Sequence, residues 1–119
     1  MTEILSQVLR NRDKKLITFI TGGDPDLATS NQIIKKMITN NIDIIEIGMP
    51  FSDPMADGPT IQASSNRALQ NSINLDDIFK LAYNAKSKKS ELPIILMGYY
   101  NVILNYGIKS FVQSCLVNG

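Results

Sequence analysis

A parallel α/β fold is what this sequence predicts, and three observations predict it. Short β-branched runs alternate with amphipathic stretches, each run leads into a turn cluster or a polar loop, and no hairpin signal joins two alternating runs.

Ile4, Leu5, Val8 and Leu9 fall at helical spacing, with Thr2 as a cap before Glu3, which predicts a leading helix. Leu16 to Thr21 (LITFIT) is a β-branched and aromatic run that stops at Gly22-Gly23-Asp24-Pro25, a first strand and its loop. The double glycine lacks the spacing of a phosphate-binding motif and reads as turn chemistry. Leu27, Ile34, Met37 and Ile38 then mark one face of a helix that ends near Thr39-Asn40-Asn41. Ile42 to Ile47 (IDIIEI) is almost continuously apolar, as a parallel strand covered on both faces should be.

A loop from Gly48 to Pro59 leads to the segment 60–70, whose polar middle (Ser64, Ser65, Asn66) predicts a short, half-exposed helix. Asn74 caps a clearer helix from Leu75 to about Lys88, with Ile78, Phe79, Ala82 and Ala85 on one face and lysines at its end. Pro93 to Met97 (PIILM) is a third strand. Tyr99, Tyr100 and Asn101 open a connecting segment, and Ile108 to Val117 forms a last helix closed by Asn118-Gly119.

At 119 residues the chain is one domain at most, and its 44% hydrophobic content suffices for a core. A net charge of +1 offers no field for nucleic acid or an anionic membrane. The first ten residues do not resemble a signal peptide, and no segment approaches the roughly 20 apolar residues that span a bilayer. A cytoplasmic location is expected. Without histidine, and with Cys115 as the single cysteine, the usual zinc spacings and an internal disulfide are excluded. An eight-stranded (β/α) barrel takes about 250 residues, so three strands make under half of one. An open doubly wound sheet is the other arrangement the pattern permits. The part-barrel is favoured, and its uncovered strand edge and inward side chains would then promote aggregation in isolation.

The chemistry concentrates in IIEIGMPFSDPMADGPTIQ, where Glu46 ends a strand and Asp53 and Asp57 lie in the following loop. Loops after the C-terminal ends of parallel strands are where such folds build their sites. Glu46 is flanked in sequence by Ile44, Ile45, Ile47 and Met49, and desolvation by such neighbours disfavours the charged form, which suits a general acid or base. Asp57, beside Gly58 and Pro59, is expected in a wetter turn where it keeps its charge, so the two acids would divide the work. The alternatives are a strand-end acid paired with a lysine for Glu46, and turn formation for Asp53 and Asp57. Phe51 and Met55 are more often loop anchors than ligand contacts.

The string EIGMPFSDPMADGPTIQ, from Glu46 to Gln62, resembles the signature of the tryptophan synthase α subunit family. Phe19 to Asp26 (FITGGDPD) and Pro93 to Ile108 (PIILMGYYNVILNYGI) extend the resemblance over essentially the whole chain. It implies a parallel (β/α)8 TIM barrel of which residues 1–119 are the N-terminal part, roughly the first three βα units. The activity implied is a lyase of tryptophan biosynthesis, which cleaves indole-3-glycerol phosphate by a retro-aldol reaction to indole and glyceraldehyde 3-phosphate, with no metal or organic cofactor. Glu46 matches the general acid/base, and Asp57 the carboxylate that accepts the indole N–H. Phe19, Ile61 and Met97 match positions enclosing the indole, with Tyr99 close by; the alternative for them is core packing. Pro50 and Asp53, with Asn101, Leu104 and Asn105, match segments that face a β subunit in a heterotetramer. Pyridoxal phosphate would belong to that subunit. The family's phosphate-binding loops lie in later strands, so the chain alone is expected to be inactive. A non-catalytic partial barrel that only binds or modulates a β subunit is the competing expectation.

Overall fold

The computed structural model describes residues 2–119, with Thr2 described by its backbone alone. The elements are α1 (Thr2–Arg10), β1 (Ile17–Thr21), α2 (Leu27–Thr39), β2 (Ile44–Gly48), α3 (Pro59–Gln70), α4 (Leu75–Lys88), β3 (Ile94–Met97), α5 (Tyr100–Tyr106) and α6 (Ile108–Asn118). The capping role expected of the Thr2 side chain lies outside the described residues. All three strands are parallel, in the order β1-β2-β3.

The register sorts the sheet into two unlike faces. Phe19 pairs with Glu46 and Glu46 with Ile95, while Thr21 pairs with Gly48 and Gly48 with Met97. Because side chains alternate along a strand, these residues share one face, and Ile20, Ile45, Ile47, Ile94 and Leu96 share the other. The second face carries the core: Ile45 and Ile47 are fully buried and cluster with Ile34 of α2 and Ile78, Phe79, Ala82 and Ala85 of α4. On the first face Ile17, Phe19 and Met97 remain 50%, 37% and 44% exposed. Helices α2 and α4 cover the second face, while the middle of the first stays open apart from the contact of α3 at Thr21, as in a barrel segment; a doubly wound sheet is covered by helices on both faces. Among the described residues no helix is long and apolar enough to cross a membrane.

Helices α2 and α3 end in the same way. After α2, Asn41 takes a left-handed φ of 58° and donates its N–H to Ile38 O (3.1 Å), and the Ile42 N–H points at Met37 O (3.5 Å). After α3, Ser72 takes φ 57° and donates to Leu69 O (2.9 Å), and the Ile73 N–H donates to Ala68 O (3.4 Å). This paired-bond closure satisfies the last carbonyls and folds an apolar residue back onto the core. Ile42 and Ile73 are accordingly 3% and 9% exposed. The expectation that strand two begins at Ile42 is thereby corrected: Ile42 seals a helix, and pairing starts at Ile44.

Three further expectations change. Ser64 and Ser65 are buried rather than solvent-facing, because α3 lies close to β1 and Ser64 Oγ shares a 2.7 Å hydrogen bond with Thr21 Oγ1. The segment after Tyr99 is not an open connection but α5, which a Gly107 with φ 94° separates from α6. The third strand begins at Ile94, since Pro93 has no N–H to pair; its carbonyl accepts from the Ile45 N–H at 3.2 Å. The cap on α4 is as expected, and it is reciprocal: Asn74 accepts from the Asp77 N–H and the Asp77 carboxylate from the Asn74 N–H. Cys115 is unpaired and half-buried on α6, and burial pushes its thiol pKa up.

Candidate functional site at the strand ends

The first loop of the site, after β1, is held by backbone and by one ion pair. Gly22 N–H donates to Gly48 O (2.9 Å), and the Gly23 N–H donates to Ser30 Oγ (2.9 Å). Gly23 has φ 82°, a conformation open to glycine. Arg67 of α3 grips Asp24 with two bonds, Nε to Oδ1 at 2.7 Å and Nη2 to Oδ2 at 2.9 Å. Asn71 adds a hydrogen bond to Pro25 O. The Arg67–Asp24 pair is the one salt bridge among the described residues.

The second loop, after β2, first prolongs the sheet, with the Met49 N–H on Met97 O at 2.7 Å. It then turns tightly, with the Met55 N–H on Asp53 O (2.8 Å) and the Asp57 N–H on Pro54 O (3.0 Å). Gly58 is the N-cap of α3 and Pro59 its first residue, where a missing N–H costs nothing. Asp57 therefore sits at the entrance of a helix, its carbonyl held by the Gln62 amide at 2.8 Å.

The third loop contributes Tyr99. This residue is the N-cap of α5, and its side chain leaves that helix to cross to the second loop. Its phenol oxygen accepts the Ala56 N–H at 2.9 Å and lies 3.2 Å from Asp57 Oδ2. Phe51 packs on the Tyr99 ring with centroids 5.2 Å apart. Phe51 is thus the loop anchor expected of it but also lines the cavity above the sheet, whereas Met55 is 88% exposed and anchors nothing.

These loops enclose a cavity of about 210 Å³ above the open face of the sheet. Phe19, Asp57, Ile61, Met97 and Tyr99, all singled out from the sequence, line it. Thr21 and Ser65 line it too and were missed; strand alternation from Phe19 to Thr21 and the helical step from Ile61 to Ser65 would have found them. Gly48 and Gly98 supply bare backbone. A Cβ on Gly48 would come within 2.7 Å of Phe19 Cζ, so the glycine is what lets that ring lie across the strand end.

Glu46 is not among the lining residues. It projects from the same face one pleat deeper, half-buried between its register partners Phe19 and Ile95. Its sequence neighbours Ile45 and Ile47 lie on the opposite face, so the apolar surroundings expected from them come from across the ladder instead. Among the described residues Glu46 has no ion-pair or hydrogen-bond partner, which sets the lysine-paired alternative aside. Asp53, Asn101, Leu104 and Asn105 are exposed and Pro50 is half-buried, on the second loop and α5, the two segments that Tyr99 ties together. No cluster of three or more His, Cys, Asp or Glu suited to a metal occurs among the described residues.

The model of the tryptophan synthase alpha chain family matches residues 5–119. The tryptophan synthase alpha chain of Petrotoga mobilis is 46% identical over 115 residues, 97% of this chain and 44% of the relative. The crystal structure of tryptophan synthase subunit alpha from Legionella pneumophila superposes with a TM-score of 0.90 at 38% identity, covering 99% of this chain and 45% of that one. A structure of tryptophan synthase from M. tuberculosis gives a TM-score of 0.86 at 29% identity, covering 98% and 46%. The chain thus spans under half the length of these relatives.

Proposed function

The chain belongs to the tryptophan synthase alpha chain family, and from that premise we propose that it carries the proton-transfer part of a lyase site for indole-3-glycerol phosphate. Its residues correspond to the N-terminal part of a single TIM-barrel domain. The observation that carries the reading is the shared face of Phe19, Glu46 and Met97, with Asp57 at the mouth of the cavity above them.

The retro-aldol step breaks the bond between the indole ring and the glycerol phosphate chain. A proton is delivered to the indole C3, another leaves the glycerol hydroxyl, and the bonding pair returns to the ring as glyceraldehyde 3-phosphate departs. Glu46, unpaired and half-buried, is the acid/base that moves these protons. Asp57 accepts the indole N–H and balances the positive charge that C3 protonation spreads over the ring. Phe19, Ile61 and Met97 form apolar walls, with Tyr99 at the rim. Among the described residues no lysine or arginine lines the cavity, so an anchor for the substrate's phosphate would come from elsewhere in a complete barrel. Neither metal nor organic cofactor takes part.

Pro50, Asp53, Asn101, Leu104 and Asn105 form the face toward a tryptophan synthase β subunit, in a cytoplasmic heterotetramer. The 48% exposure of Leu104 supports an interface there. It equally supports the second reading, a partial barrel that only binds or modulates that subunit.

A chimera separates the two. Residues 1–119 are joined to the remaining segment of the Petrotoga mobilis alpha chain, and indole release is measured. The lyase reading expects activity that Glu46→Gln lowers by about 10²–10⁴-fold; an active chimera that tolerates the change sinks it. Activation of a β subunit that survives Glu46→Gln in an inactive chimera supports the second reading.

A further inference from the structure

We infer that Tyr99 is a positioning residue, whose phenol assigns the two oxygens of Asp57 to different tasks. The phenol oxygen already accepts the Ala56 N–H at 2.9 Å, so its own proton is free to point the other way, to Asp57 Oδ2 at 3.2 Å. A phenol carries one donor and limited acceptor capacity, and a carboxylate only accepts. The direction of the chain from Ala56 N–H through the phenol to Asp57 is therefore fixed. Among the described residues no donor reaches Asp57 Oδ1, which leaves that oxygen for an incoming N–H donor.

The surroundings hold this arrangement from three sides. The Tyr99 ring is braced by Phe51. The Asp57 main chain is held through Pro54 O and the Gln62 amide. Tyr99 itself is the N-cap of α5 and makes no cap bond with its side chain, so the phenol is spent on the neighbouring loop and not on its own helix. Two of its bonds converge on consecutive residues of one turn, which restrains the rotation of the carboxyl about its Cβ–Cγ bond more than either would alone. This assignment rests on the proposed role of Asp57 as acceptor of a ring N–H.

The test uses the chimera carrying residues 1–119, with indole and N-methylindole, which differ in the N–H, and follows binding by NMR. In the unaltered chimera indole binds more tightly than N-methylindole. Tyr99→Phe keeps the ring and its packing on Phe51 and is expected to lose most of that preference, an effect of about tenfold on indole with N-methylindole little changed. A merely structural loss would weaken both ligands alike. The Ala56 amide is expected to exchange with solvent about tenfold faster in Tyr99→Phe. Tyr100→Phe, at an exposed neighbouring ring, serves as the control. Retention of the preference by Tyr99→Phe, or unchanged Ala56 exchange, overturns the inference. If the unaltered chimera shows no preference, the proposed role of Asp57 fails instead, and Ala56 exchange still decides whether Tyr99 holds the loop.

Discussion

Glu46 stands directly beside Phe19 across the β1–β2 ladder, so an acid and an aromatic ring leave the same face of the sheet at the same height. The ring lines the cavity, whereas the acid is not among its lining residues. The two should therefore separate kinetically. Glu46→Gln in the chimera is expected to lower kcat while leaving KM within about twofold, since the acid acts where charge moves. Phe19→Ala is expected to raise KM by roughly tenfold through lost apolar contact. Equal effects of both changes on KM would contradict this division.

The closures after α2 and α3 offer a gain in stability. Ser72 pays for a left-handed backbone that glycine adopts freely. Ser72→Gly is expected to raise stability by about 0.5–1 kcal/mol, read as a higher urea midpoint with unchanged slope. Ile73→Ala, which empties the core position the closure fills, should cost about 2–4 kcal/mol.

The buried hydroxyl pair gives an asymmetric expectation. Ser64→Ala strands Thr21 Oγ1 against α3 and should cost roughly 1–3 kcal/mol, whereas Ser64→Ala with Thr21→Val removes both partners and should recover part of the loss. Chemical denaturation of the three variants decides it: if the double variant is no more stable than Ser64→Ala, the hydrogen bond is not what holds α3 to β1.

Acid sensitivity has a named contributor at the start of α2. The Thr29 N–H at 2.7 Å and the Thr29 hydroxyl at 2.9 Å hold the Asp26 pKa below its usual 3.8. A group lowered in the folded state stabilises fully above its unfolded value, near 3.8, and loses that contribution as pH falls through the folded value. Asp26→Asn should therefore flatten the dependence of stability on pH below about 4; an unchanged acid limb in pH-dependent unfolding would rule Asp26 out.

Much of this was legible in the residues. Strand and helix order, α5 apart, followed from apolar spacing, because a parallel sheet leaves nearly continuous apolar runs beside helical stretches, and five of the six candidate catalytic and substrate-binding residues line one cavity. What stayed hidden is tertiary. Ile42 reads as strand by composition, yet its place is set by the left-handed Asn41 before it. Ser64 and Ser65 read as a polar surface, but a helix lying close against a strand needs small side chains there. The setting of Glu46 comes from Phe19 and Ile95, which are distant in sequence and adjacent only through register. The link from Tyr99 to Asp57 joins two loops whose spacing along the chain carries no hint of contact.

Gly48 and Phe19 are expected to change only as a coupled pair. Any Cβ at position 48 collides with the ring at position 19, so a mutation there is expected to be damaging in the present background and tolerated once position 19 has become smaller. Drift at this site should proceed in a preferred order, with the ring shrinking first and the glycine yielding afterwards.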